Sequence, residues 1–203
     1  VSGFELRTAR LVLRGWRWAD RDAFARMNAD PVVMEFFPAT LRREQSDGLV
    51  DHFESELAAR GFCPWTVEEQ SSGAFVGFVG LHAVPEFLPF APAIEVGWRL
   101  ARSFWGKGYA TEAAETSARF AFTTLGAPEI VSFTSVVNLR SRKVMERLSM
   151  SRDLTGDFEH PNVAPGHALR PHVLYRLGVD AWRRRGEGAA DGDVPSLAPP
   201  PGS

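Results

Sequence analysis

The stretch Arg-Ser-Phe-Trp-Gly-Lys-Gly-Tyr-Ala at residues 102–110 constrains the fold of this 203-residue chain more than any other. Before it, Ala93–Ala101 (AIEVGWRLA) has the length and composition of a strand. After it, Gly108–Leu125 carries Ala110, Ala113, Ala114, Ala118, Ala121 and Phe122, which supply helix propensity and a packing face. Glycines at 106 and 108 let the backbone turn so that successive N–H groups converge on one point. The helix N-terminus behind them adds unpaired donors and the positive end of a dipole. With a further strand at Glu129–Val136, the segment makes a crossover unit whose two strands pair in parallel. The turn reads either as a phosphate or pyrophosphate site, to which Lys107 adds charge, or as a plain loop that starts a helix. It matches neither G-x-x-x-x-G-K-[ST] nor G-x-G-x-x-G.

Around this unit the pattern predicts strands over Arg10–Trp16, Phe62–Glu69, Ala74–Val84 and His172–Gly178, and helices over Asp20–Asn28, Arg43–Arg60 and Leu139–Leu148. That order implies an α/β or α+β fold, a mixed sheet with helices on its faces. Residues 1–185 read as one domain, and the Gly/Pro/Ala-rich stretch 186–203 as a disordered tail. A formal net charge of -2 gives no electrostatic reason to expect DNA as a partner. No apolar run approaches the roughly 18 residues of a membrane span, and no basic-then-apolar signal opens the chain. The single cysteine, Cys63, has no partner for an internal disulfide and reads as a small buried hydrophobe. A cytoplasmic location follows as the expectation. His82, His160, His167 and His172 lack the spacing of a ligand set, so no metal is expected.

The stretch AIEVGWRLARSFWGKGYATEA, the Phe-Ala-Phe of residues 120–122 and VNLRSRKVMERLSM together resemble the GCN5-related N-acetyltransferases (GNAT). The branch they look closest to includes the ribosomal-protein N-terminal acetyltransferases. The resemblance spans roughly residues 5–180; Gly108 and Ala110 match the Q/R-x-x-G-x-G/A motif, and Trp105 stands at its first position. It implies a mostly antiparallel central sheet, helices on both faces and a V-shaped split between two parallel strands. It also implies acetyl-CoA as cosubstrate. The backbone of Leu100, Ala101 and Arg102 would pair with the pantetheine arm, and N–H groups of Gly106, Lys107, Gly108, Tyr109, Ala110 and Thr111 would bind the pyrophosphate.

Asn138 opens the second motif, N-x-x-S, where it can bond a pantetheine amide, cap the helix behind it, or do both. Ser141 can donate to the departing sulfur or serve as an ordinary serine of a first helical turn. Relatives that use a tyrosine seven residues after the asparagine have their acid there; here the position is Met145, which cannot donate. Glu95 shares a strand face with Gly97 and Arg99. The resemblance gives it the role of base toward the incoming amine, and the alternative is a salt bridge to a neighbouring loop or to Arg99. A backbone N–H near Val96 and Gly97 would hold the oxyanion. His160, His172 and Tyr175 lie in a segment that reads either as an acceptor wall or as packing.

These residues imply an acetyl-CoA-dependent N-acetyltransferase acting by direct transfer to a primary amine. The acceptor classes left open are a protein N-terminus, a polyamine, an amino acid and an aminoglycoside-type drug. A homodimer is also left open. The reading from another class is a noncatalytic acyl-CoA sensor or scaffold of the same fold.

Overall fold

A computed structural model of the chain describes residues 5–190. Eight strands form one sheet in the order β1-β2-β3-β4-β5-β6-β8-β7. They are β1 (Glu5–Arg7), β2 (Leu11–Arg14), β3 (Pro64–Glu69), β4 (Phe75–Ala83), β5 (Ile94–Leu100), β6 (Glu129–Ser135), β7 (Ser151–Glu159) and β8 (Pro171–Gly178). The helices are α1 (Asp20–Ala29), α2 (Arg43–Arg60), α3 (Tyr109–Thr123), α4 (Leu139–Arg147) and α5 (Val179–Ala190). Every neighbouring pair is antiparallel except β5 and β6, which are parallel and joined through α3 as the crossover requires.

Both faces of the sheet are covered. On one, Phe53 of α2 packs on Phe78 of β4 at 5.5 Å between ring centroids, and Phe24 of α1 packs on Phe78 at 6.0 Å. On the other, Phe120 of α3 meets Trp65 of β3 edge-on at 5.3 Å. Alanines 113, 114, 118 and 121 are fully buried beneath α3, so the helix approaches the sheet closely. Two glycines of β4 permit similarly close backbone approach: a Cβ on Gly80 would fall 2.3 Å from the Cys63 carbonyl, and one on Gly77 2.3 Å from the Arg99 carbonyl. Cys63 is buried, and desolvation pushes its thiol up to about 12, so it is inert.

A buried charge cluster ties α1 to the sheet. Arg14 of β2 donates to both oxygens of Asp20, at 2.8 and 2.9 Å, and through Nε to Glu68 of β3 at 2.9 Å. Asp20 also accepts the Arg17 N–H at 2.7 Å, which fixes the chain's entry into the helix.

Two strands and one helix go beyond the sequence expectation. β1 is three residues long, and β7 presents mostly exposed side chains without apolar alternation. Both are edge strands, where charge replaces the apolar pattern that marks a strand. β7 is held by its antiparallel ladder with β8, reinforced across the strands by the ion pair of Asp153 with Arg176 at 2.8 Å. α5 runs to Ala190, past the Gly186 boundary drawn from composition; the rest of that expected tail lies outside the described residues. Among the described residues no helix is long and apolar enough to cross a membrane, and no cluster of His, Cys, Asp and Glu could hold a metal.

Candidate active site

β5 and β6 share a single bridged pair, Glu95 with Val131, and then part. Hydrogen-bond direction decides which backbone groups face the opening. The Ala101 N–H is bonded to the Val76 carbonyl, so odd-numbered residues of β5 belong to the ladder with β4. By alternation the N–H and C=O groups of Trp98 and Leu100 point into the split. The Trp105 indole occupies the Leu100 carbonyl at 2.8 Å, while Phe104 and Trp105 N–H groups bond the Ala101 and Arg102 carbonyls in a short 3₁₀ turn, Arg102–Phe104. The open backbone edge is therefore Trp98 and Leu100. Ala101 and Arg102 do not line the cleft, and the Ala101 N–H and the carbonyls of both are already bonded within the chain.

The glycine loop has the geometry of an anion cradle. Gly106 and Gly108 are left-handed, with φ of 76° and 82°, and Gly108 caps α3. Among the described residues the N–H groups of Gly106, Lys107, Gly108, Tyr109, Ala110 and Thr111 have no acceptor. The first intrahelical bond runs from Glu112 to the Gly108 carbonyl at 3.1 Å. Arg10, which sequence reasoning missed, clamps this loop from the β1–β2 turn. It donates to the Lys107 carbonyl at 2.9 Å, to Glu112 at 2.7 Å, and lies 4.7 Å over the Tyr109 ring. Lys107 itself leans away toward Glu69, 3.9 Å off, and over the Phe104 ring.

On the opposite wall, α4 begins with Asn138 as its cap. Its Oδ1 accepts the Ser141 N–H at 3.1 Å and its amide nitrogen donates to Thr134 at 2.9 Å. The capping role is thus present. Ser141 Oγ accepts the Trp98 indole N–H at 3.1 Å across the split, which leaves its own hydroxyl proton free to point elsewhere. Met145 is buried beneath α4. Lys143 and Arg147, one turn apart on α4, line the cleft and make no ion pair among the described residues. No sequence signal separated these two from an ordinary solvated helix face.

Glu95 is half-buried in the same cleft, which has a volume of about 650 Å³. Among the described residues its carboxyl has neither a hydrogen bond nor an ion pair, and burial alone raises it from 4.5 to about 8. The salt bridge to Arg99 is not formed. Arg99 donates to Asn28 Oδ1 at 2.7 Å and lies 4.2 Å over Phe37 and 5.4 Å over Phe78, and desolvation lowers it to about 10. His82, the cross-strand neighbour of Glu95, is driven to about 4 by burial first and by His52 and Arg99 next, so it is neutral.

Residues of the α1–α2 connection, Phe36 and Phe37 among them, also line the cleft. Trp98 lines it while also packing against the core. On the far wall, His160 and His172 pack at 4.8 Å beside Phe133 and Phe158 and line the same cleft. Tyr175 is buried under α4 near Glu146 and Arg142 and belongs to packing.

The family model for the acetyltransferase (GNAT) domain matches residues 10–151. The FsC-acetyl coenzyme A-N(2)-transacetylase of Aspergillus fumigatus is 28% identical over 188 residues, 88% of this chain and 78% of that protein. Among solved structures, an acetyltransferase from Agrobacterium tumefaciens superposes with a TM-score of 0.70 at 28% identity, over 87% of this chain and 95% of that one. RimL, a ribosomal L7/L12 α-N-protein acetyltransferase solved with coenzyme A, gives a TM-score of 0.71 at 17% identity, over 88% and 99%, a likeness of fold. The family match, the parallel pair that parts, and the glycine cradle at its end agree: the chain belongs to the GNAT acetyltransferases and is an acetyl-CoA-dependent acyltransferase.

Proposed function

We propose that this chain transfers the acetyl group of acetyl-CoA directly to a primary amine, within one ternary complex formed where β5 and β6 part. The observation that carries the reading is a pair of groups in one cleft: the unpartnered Glu95 carboxyl, and the Ser141 hydroxyl oriented by Trp98.

The six free N–H groups of residues 106–111 suit the pyrophosphate, with Lys143 and Arg147 near enough to add charge. Trp98 and Leu100 offer the strand edge along which an amide-bearing arm can lie. Glu95 takes a proton from the incoming ammonium, directly or through water, so that the amine nitrogen can attack the acetyl carbon. The Trp98 N–H follows the last β5–β6 bridge and faces the split, which makes it the donor for the oxyanion. As the carbon–sulfur bond breaks, Ser141 gives its proton to the thiolate, and the second proton that the nitrogen sheds on becoming an amide restores the hydroxyl through solvent. No nucleophile motif calls for a covalent acyl-enzyme, so proximity and oxyanion stabilisation carry the rate.

The test is a mass-shift screen. Purified protein and acetyl-CoA are incubated with a panel of primary amines that includes peptides with free N-termini, amino acids, polyamines and aminoglycosides. At least one class should gain an acetyl group, with one free CoA thiol released per product. Tight acetyl-CoA binding without acetylation or thiol release across the panel would favour the noncatalytic sensor.

A further inference from the structure

The acceptor side of the cleft contains a buried cation with no anion. Arg99 lies on the face of β5 that looks toward α1 and the α1–α2 connection, and it forms no ion pair among the described residues. Its Nη1 is used by Asn28. Its Nε is buried without an acceptor, and no acceptor meets Nη2 among the described residues. The Nη2 amino group keeps N–H donors that can grip a carboxylate oxygen. The Phe37 and Phe78 rings stabilise the flat faces of the group. A desolvated charge without a counter-ion is costly in the free protein, and a bound anion removes the cost.

We propose that the acceptor is an amino-carboxylate, a free amino acid or a close relative, whose carboxylate is held by Nη2 of Arg99 while its amine faces Glu95. The assignment rests on the acetyl-transfer reading above and names the substrate class for that site.

Three further observations support it. Glu95 and Arg99 are four residues apart on one strand face, about 13 Å between Cα atoms, with long side chains that both line the cleft. Gly97 between them presents no side chain, and a Cβ there would come 3.4 Å from Glu95 Oε1. The floor between the two groups is thereby kept open for a small molecule. Charge points the same way: Lys143 and Arg147 are on the wall assigned to the cosubstrate's phosphates and Arg140 is paired with Glu35 at 2.5 Å, which leaves Arg99 as the lining cation without a counter-ion among the described residues. An acceptor without an anion, such as a polyamine, leaves it unpaired. Arg99 also sits apart from the phosphate cradle, since its neighbour Leu100 turns into the core beneath α3 while Arg99 turns toward Asn28.

The experiment measures kcat/KM for matched acceptors, each amino acid against its own amide and its decarboxylated amine, with spermidine as a further arm. Wild type, Arg99→Gln and Arg99→Lys are compared. The expected result is an acid-over-amide preference of about tenfold to hundredfold in wild type, as charge-assisted hydrogen bonds give. The preference should fall toward one in Arg99→Gln and return in part in Arg99→Lys. Acetyl-CoA affinity and melting temperature are measured for each variant, and both should be retained.

A wild-type preference for amides, decarboxylated amines or spermidine overturns the proposal while leaving the acetyltransferase reading intact. So does loss of acetyl-CoA affinity in Arg99→Gln, which would assign the cation to the cosubstrate. If no amine in any arm is acetylated, the functional reading fails instead. Calorimetry of the same amino acids with CoA-loaded protein then decides the site: binding lost in Arg99→Gln upholds the anion site, and no binding to wild type refutes it.

Discussion

Glu95→Gln should reduce turnover by about 10²–10⁴-fold while leaving acetyl-CoA affinity unchanged, because general-base assistance is typically of that size. The side chain keeps its shape and loses only the ability to take a proton. The pH dependence gives the sharper readout. With its carboxyl at about 8 instead of 4.5, Glu95 is mostly protonated at pH 7, and the base form fills as pH rises through 8. Wild-type rates should climb between about pH 7 and 9, with an inflection that stays near 8 when acceptors of different amine pKa are compared. The Gln variant should lose the inflection near 8.

Stability supplies an independent check on the same group. Between 4.5 and about 8 the unfolded chain has released this proton and the folded chain retains it. With more protons bound in the folded state, unfolding free energy falls as pH rises across that window. Glu95→Gln should therefore lose less stability than wild type between pH 5 and pH 8. A Gln variant whose pH–rate profile keeps the wild-type inflection would show that Glu95 is not the base.

Asp20→Ala should cost about 3–5 kcal/mol of unfolding free energy, the scale set by removing one partner of a buried ion pair. The Arg14 guanidinium would lose both of its bonds to Asp20, and α1 would lose the Arg17 contact at its start. Glu68 remains as a second partner, which places the loss toward the lower end. Urea unfolding of the two proteins measures it. A loss under about 1 kcal/mol would mean that water reaches Arg14 and the cluster is not buried in solution.

Most of the fold was legible because strands and helices facing the core keep their period. Leu11 and Leu13, the alanines of α3 and the apolar run of β4 are examples. The edge strands escaped notice for the converse reason, since β7 carries Arg152, Asp153 and Asp157 where a core-facing strand would carry apolar residues. At the site, the glycine cradle could be read from residue type because left-handed turns select glycine. Asn138 and Ser141 were found through motif spacing, and the structure adds the Trp98 bond that orients the hydroxyl. Arg10, Lys143 and Arg147 could not be found, because each is a common surface residue until the fold brings it beside the loop or the cleft. Arg99 was noticed only as a partner for Glu95. Four intervening bonds along a strand say nothing of where a long side chain turns, and here it turns to Asn28.

The central claim is that the cradle at residues 106–111 holds the pyrophosphate of acetyl-CoA. Calorimetric titration of acetyl-CoA into wild type, Gly106→Asp and Gly106→Asn tests it most directly. A Cβ at residue 106 meets nothing within 4 Å, and aspartate and asparagine are the side chains that best tolerate its φ of 76°. The two variants therefore share backbone strain and differ in charge. Wild type should bind one acetyl-CoA per chain; Gly106→Asn should bind somewhat more weakly, and Gly106→Asp at least about tenfold more weakly than Gly106→Asn, as a carboxylate enters the field of the free N–H groups. Equal affinities for folded Gly106→Asp and Gly106→Asn, or no binding by wild type, would contradict the account.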